Sequence, residues 1–188
     1  MKIHPATVLL GALTVFGPIL LAQQAPGVPN FHQVNDHIYR GAQPSSEGFH
    51  SLAKLGVKTV IDLRGGNGRS KDERKTVEAN GMHYVSMPLD GFLAPSAAQV
   101  SNLLSILNDG SAGPVFVHCR RGADRTGTII AVYRITHDHW DNRKALDEAS
   151  ANGMSHAEVL MKHYVLAYQA APALPAAVPA AAVPASVQ

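Results

Sequence analysis

Val115-Phe116-Val117-His118-Cys119-Arg120-Arg121-Gly122-Ala123-Asp124-Arg125-Thr126-Gly127 opens on apolar β-formers, turns through a glycine-containing loop and enters an amphipathic stretch at Thr126. The implied order is strand, loop, helix. In that order the loop N–H groups converge on one point, and the helix N-terminus adds favourable partial charge for an anion. Cys119, at the start of the loop, lies in the same field, which together with a nearby guanidinium favours thiolate over thiol and so makes a nucleophile. Arg125 follows six residues later, and a loop that curls back places its planar fork beside the sulfur. Two oxygens of a phosphoryl group suit that fork. Gly122 permits the turn. The Thr126 hydroxyl is placed to hydrogen-bond the sulfur as it leaves.

The same alternation continues outward from this stretch. Residues 37–39, 57–63 and 83–87 read as further strands, and residues 46–55, 70–80 and 96–107 as helices with capping residues at their starts. Beyond Cys119 the pattern is wholly helical, over 126–137, 142–151 and 156–168. The fold class is therefore α/β, a central, mostly parallel sheet flanked by helices. A chain of 188 residues with 46% hydrophobic content holds one such core and not comfortably two.

Composition sets the remaining limits. Residues 1–22 combine Lys2, an apolar run and Ala22 before the expected cut, which reads as an export signal, with a membrane anchor as the alternative. Periplasmic or secreted localisation is the corresponding expectation. Residues 23–30 read as a Pro/Gly/Gln linker, 31–168 as the folded domain, and 169–188 as a disordered Ala/Pro tail. Cys119 is the one cysteine, so it forms no internal bridge. Net charge is +2 with no long basic run, which excludes nucleic acid as the expected partner, and a monomer is the default. His137-Asp138-His139 places its two imidazoles off any common helical face, so no metal or cofactor is expected.

The stretch from His118 to Gly127 resembles the signature loop of the protein tyrosine and dual-specificity phosphatase superfamily. Tyr39-Arg40-Gly41-Ala42-Gln43-Pro44 and Lys58-Thr59-Val60-Ile61-Asp62-Leu63-Arg64 are similar to segments of its compact bacterial atypical members. Tyr133-Arg134-Ile135 with Trp140-Asp141 resembles exported bacterial tyrosine phosphatases. The resemblance implies a cysteine-phosphatase fold and hydrolysis of phosphate monoesters through phosphocysteine, on a phosphorylated protein or a small phosphorylated molecule.

It also implies a general acid on a loop upstream of the signature. Asp90, in Met87-Pro88-Leu89-Asp90-Gly91-Phe92, is the candidate, with Asp72 and Glu73 as weaker competitors in another loop. Cys119, Arg125, Asp90 and Thr126 form the expected catalytic set; His118, Arg120, Arg121, Gly122, Ala123 and Asp124 are expected to line the substrate. Asp124 is expected to pair with a neighbouring base. Arg64, Arg69, Lys71, Arg74 and Lys75 form a second basic group, readable as a solvated helix face or as a polyphosphate subsite. Protein phosphotyrosine is the first substrate expectation, an inositol polyphosphate or phosphoinositide the alternative, and a catalytically silent phosphate-binding module the rival of another class.

Overall fold

The computed structural model describes residues 24–65 and 68–170, with Gly68 and Arg69 in backbone only. The export signal and residues 171–188 of the expected tail lie outside the described residues. Five strands form one sheet: β1 (His32–Gln33), β2 (Ile38–Ala42), β3 (Thr59–Asp62), β4 (His83–Ser86) and β5 (Val115–Cys119). Their order is β1-β2-β5-β3-β4, parallel throughout except for β1, which runs antiparallel to β2. Among the described residues there are six α-helices: α1 (Ser46–Lys54), α2 (Gly68–Ala79), α3 (Ala97–Leu107), α4 (Asp124–Thr136), α5 (Asn142–Ala151) and α6 (Val159–Ala167).

The strands carry apolar side chains toward both faces, as a sheet covered on both sides requires. Ile38, Ile61, Val115, Val117 and Cys119 face α3 and α4 and pack with Leu103, Ile129, Ile130 and Tyr133. Tyr39, Val60, Tyr84 and Phe116 face the other way and pack with Phe49 and Leu52 of α1 and Val77 of α2. Helix α4 has the sheet on one side and α5 and α6 on the other, where Ala131 and Ile135 meet Ala145, Leu146, Ala149 and Val165. It is consequently buried nearly all round.

Strand β2 runs three residues past its expected end at Tyr39, because pairing with β5 continues through Gly41 opposite His118 and Ala42 opposite Cys119. Residues 24–30, expected as a linker, are packed. Ala25 and Val28 are buried in the α1/α2 cluster, and the Pro29 carbonyl accepts a hydrogen bond from the Ala42 N–H at 2.7 Å. Among the described residues no helix is long and apolar enough to cross a membrane.

Candidate active site

Parallel strands bring their C-terminal ends to one edge of a sheet, and β5 delivers Cys119 there as its last residue, 1% exposed. The chain then turns through 120–123 into α4, whose first residue is Asp124. Gly122 makes this turn with a φ of +68°. A Cβ at that position would lie 2.2–2.4 Å from backbone atoms of Gly41 and Ala42, so the loop rests directly on the end of β2 and glycine alone fits.

Carbonyls of the loop are held from outside. The Asn30 side-chain amide donates to Arg121 O at 3.3 Å, Gly122 O at 3.2 Å and Asn152 O at 3.0 Å. Arg40 Nη2 donates to Gly122 O at 2.7 Å, and the Gln43 N–H to Arg120 O at 3.4 Å. Each trans peptide points its N–H opposite to its C=O. Anchoring carbonyls outward therefore aims the following N–H groups toward the centre of the loop.

Thr126, in the first turn of α4, is fully buried, and its hydroxyl has no hydrogen-bond partner among the described residues. Asp124 is paired: Arg121 Nη2 lies 2.6 Å from its Oδ2, and the Ser155 N–H donates to its Oδ1 at 2.9 Å, tying the loop to the α5–α6 connection. The ion pair raises the Arg121 guanidinium above its ordinary range, first through the hydrogen bond to Asp124 and then through its charge. Arg120 is exposed, Arg125 half-buried and Ala123 buried.

His118 points to the opposite face, where its Nε2 lies 2.8 Å from Glu73 Oε1 and its Nδ1 3.3 Å from the Cys119 carbonyl. Glu73 belongs to α2, in keeping with the helix expected over 70–80, and is buried, so it is not a competing acid on a loop. It also contacts Arg64, whose Nε and Nη2 donate to Asp62 at 2.8 Å each. Burial works to raise the Asp62 carboxyl, but hydrogen bonds from Arg64 and Tyr84 and the charge of His118 outweigh it and hold it low. Asp62, Glu73 and His118 bring potential ligand atoms within 4.8 Å of one another. The Arg64 guanidinium already bonds both carboxylates of that cluster, so its charge is balanced by the chain itself.

This network removes Arg64 from the second basic group. Arg74 lies over the Tyr84 ring and 3.6 Å from Glu78, while Lys75 is near Asp72 at 3.8 Å. Asp90 lies in the loop between β4 and α3, exposed, with its Oδ1 accepting from the N–H groups of Phe92 at 2.7 Å and Leu93 at 2.8 Å. Those bonds hold its carboxyl below the ordinary carboxylate range, and the charge of Arg125, in the first turn of α4, adds to the effect. Phe92 and Leu93 beside it are exposed.

Arg40, Asn30 and the burial of Glu73 against His118 are the parts of this site that residue patterns did not supply. A family model described as DSP-PTPase phosphatase fused to NAD+ kinase matches residues 23–166. The dual specificity protein phosphatase TpbA of Pseudomonas aeruginosa is 30% identical over 156 residues, which cover 77% of this chain and 69% of that protein. Inositol diphosphatase DSP5 of Arabidopsis thaliana is 29% identical over 124 residues, covering 64% of this chain and 60% of that one. A crystal structure of P. aeruginosa TpbA in complex with pTyr superposes with a TM-score of 0.63 at 26% identity, over 76% of this chain and 91% of that one.

Proposed function

The chain belongs to the DSP-PTPase phosphatase family, and from that membership we propose that it hydrolyses protein phosphotyrosine through a phosphocysteine on Cys119. The observation that carries this reading is a buried thiol at the mouth of a loop whose carbonyls are tied back from outside. Cys119 Sγ attacks phosphorus in line, and the bond from phosphorus to the leaving phenolic oxygen breaks. Loop N–H groups and Arg125 hold the equatorial oxygens as charge spreads over them. Asp90 gives its proton to the leaving oxygen, then takes one from the water that hydrolyses phosphocysteine. Thr126 donates to the sulfur as the thiolate departs.

Phosphotyrosine is favoured over a polyphosphorylated ligand by where the cations are. Arg64 is held by Asp62 and Glu73, and Arg121 by Asp124. Among the described residues no ion pair holds Arg120 of the loop or Arg125 at the start of α4, which leaves charge enough for one phosphoryl group. Exposed Phe92 and Leu93 beside Asp90 offer apolar surface to an aromatic ring. An inositol polyphosphate is the second reading, supported by the likeness to DSP5. The work site is read as the periplasm or the medium from residues 1–22, with cleavage after Ala22.

Phosphate release by residues 23–188 from a phosphotyrosine peptide, a phosphoserine peptide and an inositol polyphosphate tests the proposal. The phosphotyrosine peptide is expected to give the highest kcat/KM, and Cys119→Ser to abolish turnover. Preference for the inositol substrate would transfer the assignment to the second reading. Turnover surviving Cys119→Ser would remove the phosphocysteine.

A further inference from the structure

We propose that Arg40, buried beneath the loop, is a positioning residue that fixes the Gly122 carbonyl and sets its charge against the Cys119 thiolate from the sheet side. The inference rests on reading Cys119 as the nucleophile. Arg40 sits on β2 opposite Val117. Two residues beyond Ile38, it points to the α4 face of the sheet, as Cys119 does. Its Nη2 reaches Gly122 O and lies 3.7 Å from where a Cβ of Gly127 would be, so it occupies room left by the first turn of α4.

Arg40 is 1% exposed, yet no carboxylate bonds it, and its Nε and Nη1 have no partner among the described residues. Isolated buried charge is costly, and a protein retains it when it faces opposite charge. The charged groups around it are Cys119 on β5, Glu148 on α5, Arg134 on α4 and His32 on β1. Glu148, itself paired with Arg134 at 2.8 Å, is the stronger opposing charge and Cys119 the second, with Arg134 acting weakly against both. Cys119 is the one of these two anions that shares with Arg40 the sheet face beneath the loop. Burial lowers the Arg40 guanidinium to about 10, with Glu148 and Cys119 working against that fall, so the cation is present throughout the neutral range. Cys119 is also within reach of the charge of Arg121 and, in the proposed mechanism, of Arg125 in the first turn of α4, while His118 next to it points to the opposite face, so Arg40 is one contributor to its field among several.

The test uses residues 23–188 with Arg40→Met and Arg40→Lys, and reads the pH midpoint of Cys119 alkylation by iodoacetamide, kcat and KM for para-nitrophenyl phosphate, and Tm. With Arg40→Met the midpoint is expected to rise by about one pH unit and kcat to fall roughly tenfold or more, while Tm is unchanged or higher. Arg40→Lys restores most of the midpoint but only part of kcat, since an ammonium keeps the charge without the fork. An unchanged midpoint, or losses that merely follow Tm, would overturn the proposal.

A second measurement needs no change at Arg40. In the unmutated protein the Arg40 guanidinium 15N resonances are expected to move with the Cys119 titration and to stop doing so in Cys119→Ser; resonances indifferent to Cys119 overturn the proposal. Failure of the functional reading looks different. Linked titration with no turnover of any phosphotyrosine peptide supports the role of Arg40 and removes only the substrate, whereas Cys119-dependent turnover with silent Arg40 variants removes Arg40 alone.

Discussion

Asp90 has to be protonated to act as the acid, and the protein without substrate holds its carboxyl low through the Phe92 and Leu93 N–H groups and the charge of Arg125. The sign of the pH dependence follows. Activity falls as pH rises through a depressed pKa, so the alkaline limb of kcat/KM lies at low pH and the optimum falls on the acid side of neutrality. Asp90→Asn is expected to remove that limb and to lower kcat about a hundredfold or more on a poor leaving group, with little loss on para-nitrophenyl phosphate; a limb that survives would reassign the acid. Arg40 shows the opposite balance of stability and use. A base whose folded pKa falls from its ordinary value to about 10 costs the fold about 3 kcal/mol. That cost is fully present below pH 10 and disappears only above the ordinary value. Cys119, Arg125 and Thr126 were legible as an expected anion-binding loop because the spacing, Gly122 and the flanking strand and helix all lie in one short stretch of sequence. Arg40 was visible only as part of a resembling segment, because its role comes from the strand register that carries it under Gly122. The helix that carries Glu73 was legible, but its burial against His118 was not, because nothing local marks a glutamate as buried beneath a histidine of another element.

At the scale of elements, helices were easier to read than strands. Ser96 closes a capping box with Gln99 at the start of α3, and Ser45 and Asp141 cap α1 and α5. These signals lie within four residues of one another in sequence. Strand β1, two residues long, has no pattern of its own and exists because His32 and Gln33 find Arg40 and Tyr39. Helix α3 also steadies the Asp90 loop, since Gln99 Nε2 donates to the Pro88 carbonyl at 2.9 Å. Ser96→Ala is expected to cost about 1 kcal/mol of stability, and Gln99→Ala a similar amount together with a raised KM or lowered kcat from a loosened loop. Denaturant melts beside steady-state kinetics separate the two: a purely structural α3 would move the melts in both variants and the kinetics in neither.

At the scale of the molecule, residues 24–30 show what composition does not convey. Proline, glycine and glutamine there suggested a tether, yet Val28 is buried against the α1/α2 layer and Asn30 reaches carbonyls 91, 92 and 122 positions away. Beginning the chain at Phe31 is expected to forfeit about 2 kcal/mol for Val28 alone, lower Tm by several degrees, and weaken inhibition by inorganic phosphate; identical melts and phosphate inhibition would return the segment to the status of a tether. The sheet order has a consequence of another kind. β2 and β3 are made early in the chain but do not pair with each other; both pair with β5. During synthesis the two halves of the sheet have no seam to close until residues 115–119 arrive. The strand that joins them is the one that carries the thiol. An unfinished chain therefore has neither a continuous sheet nor a formed phosphate loop, and the enzyme becomes competent in the same step that makes it solid.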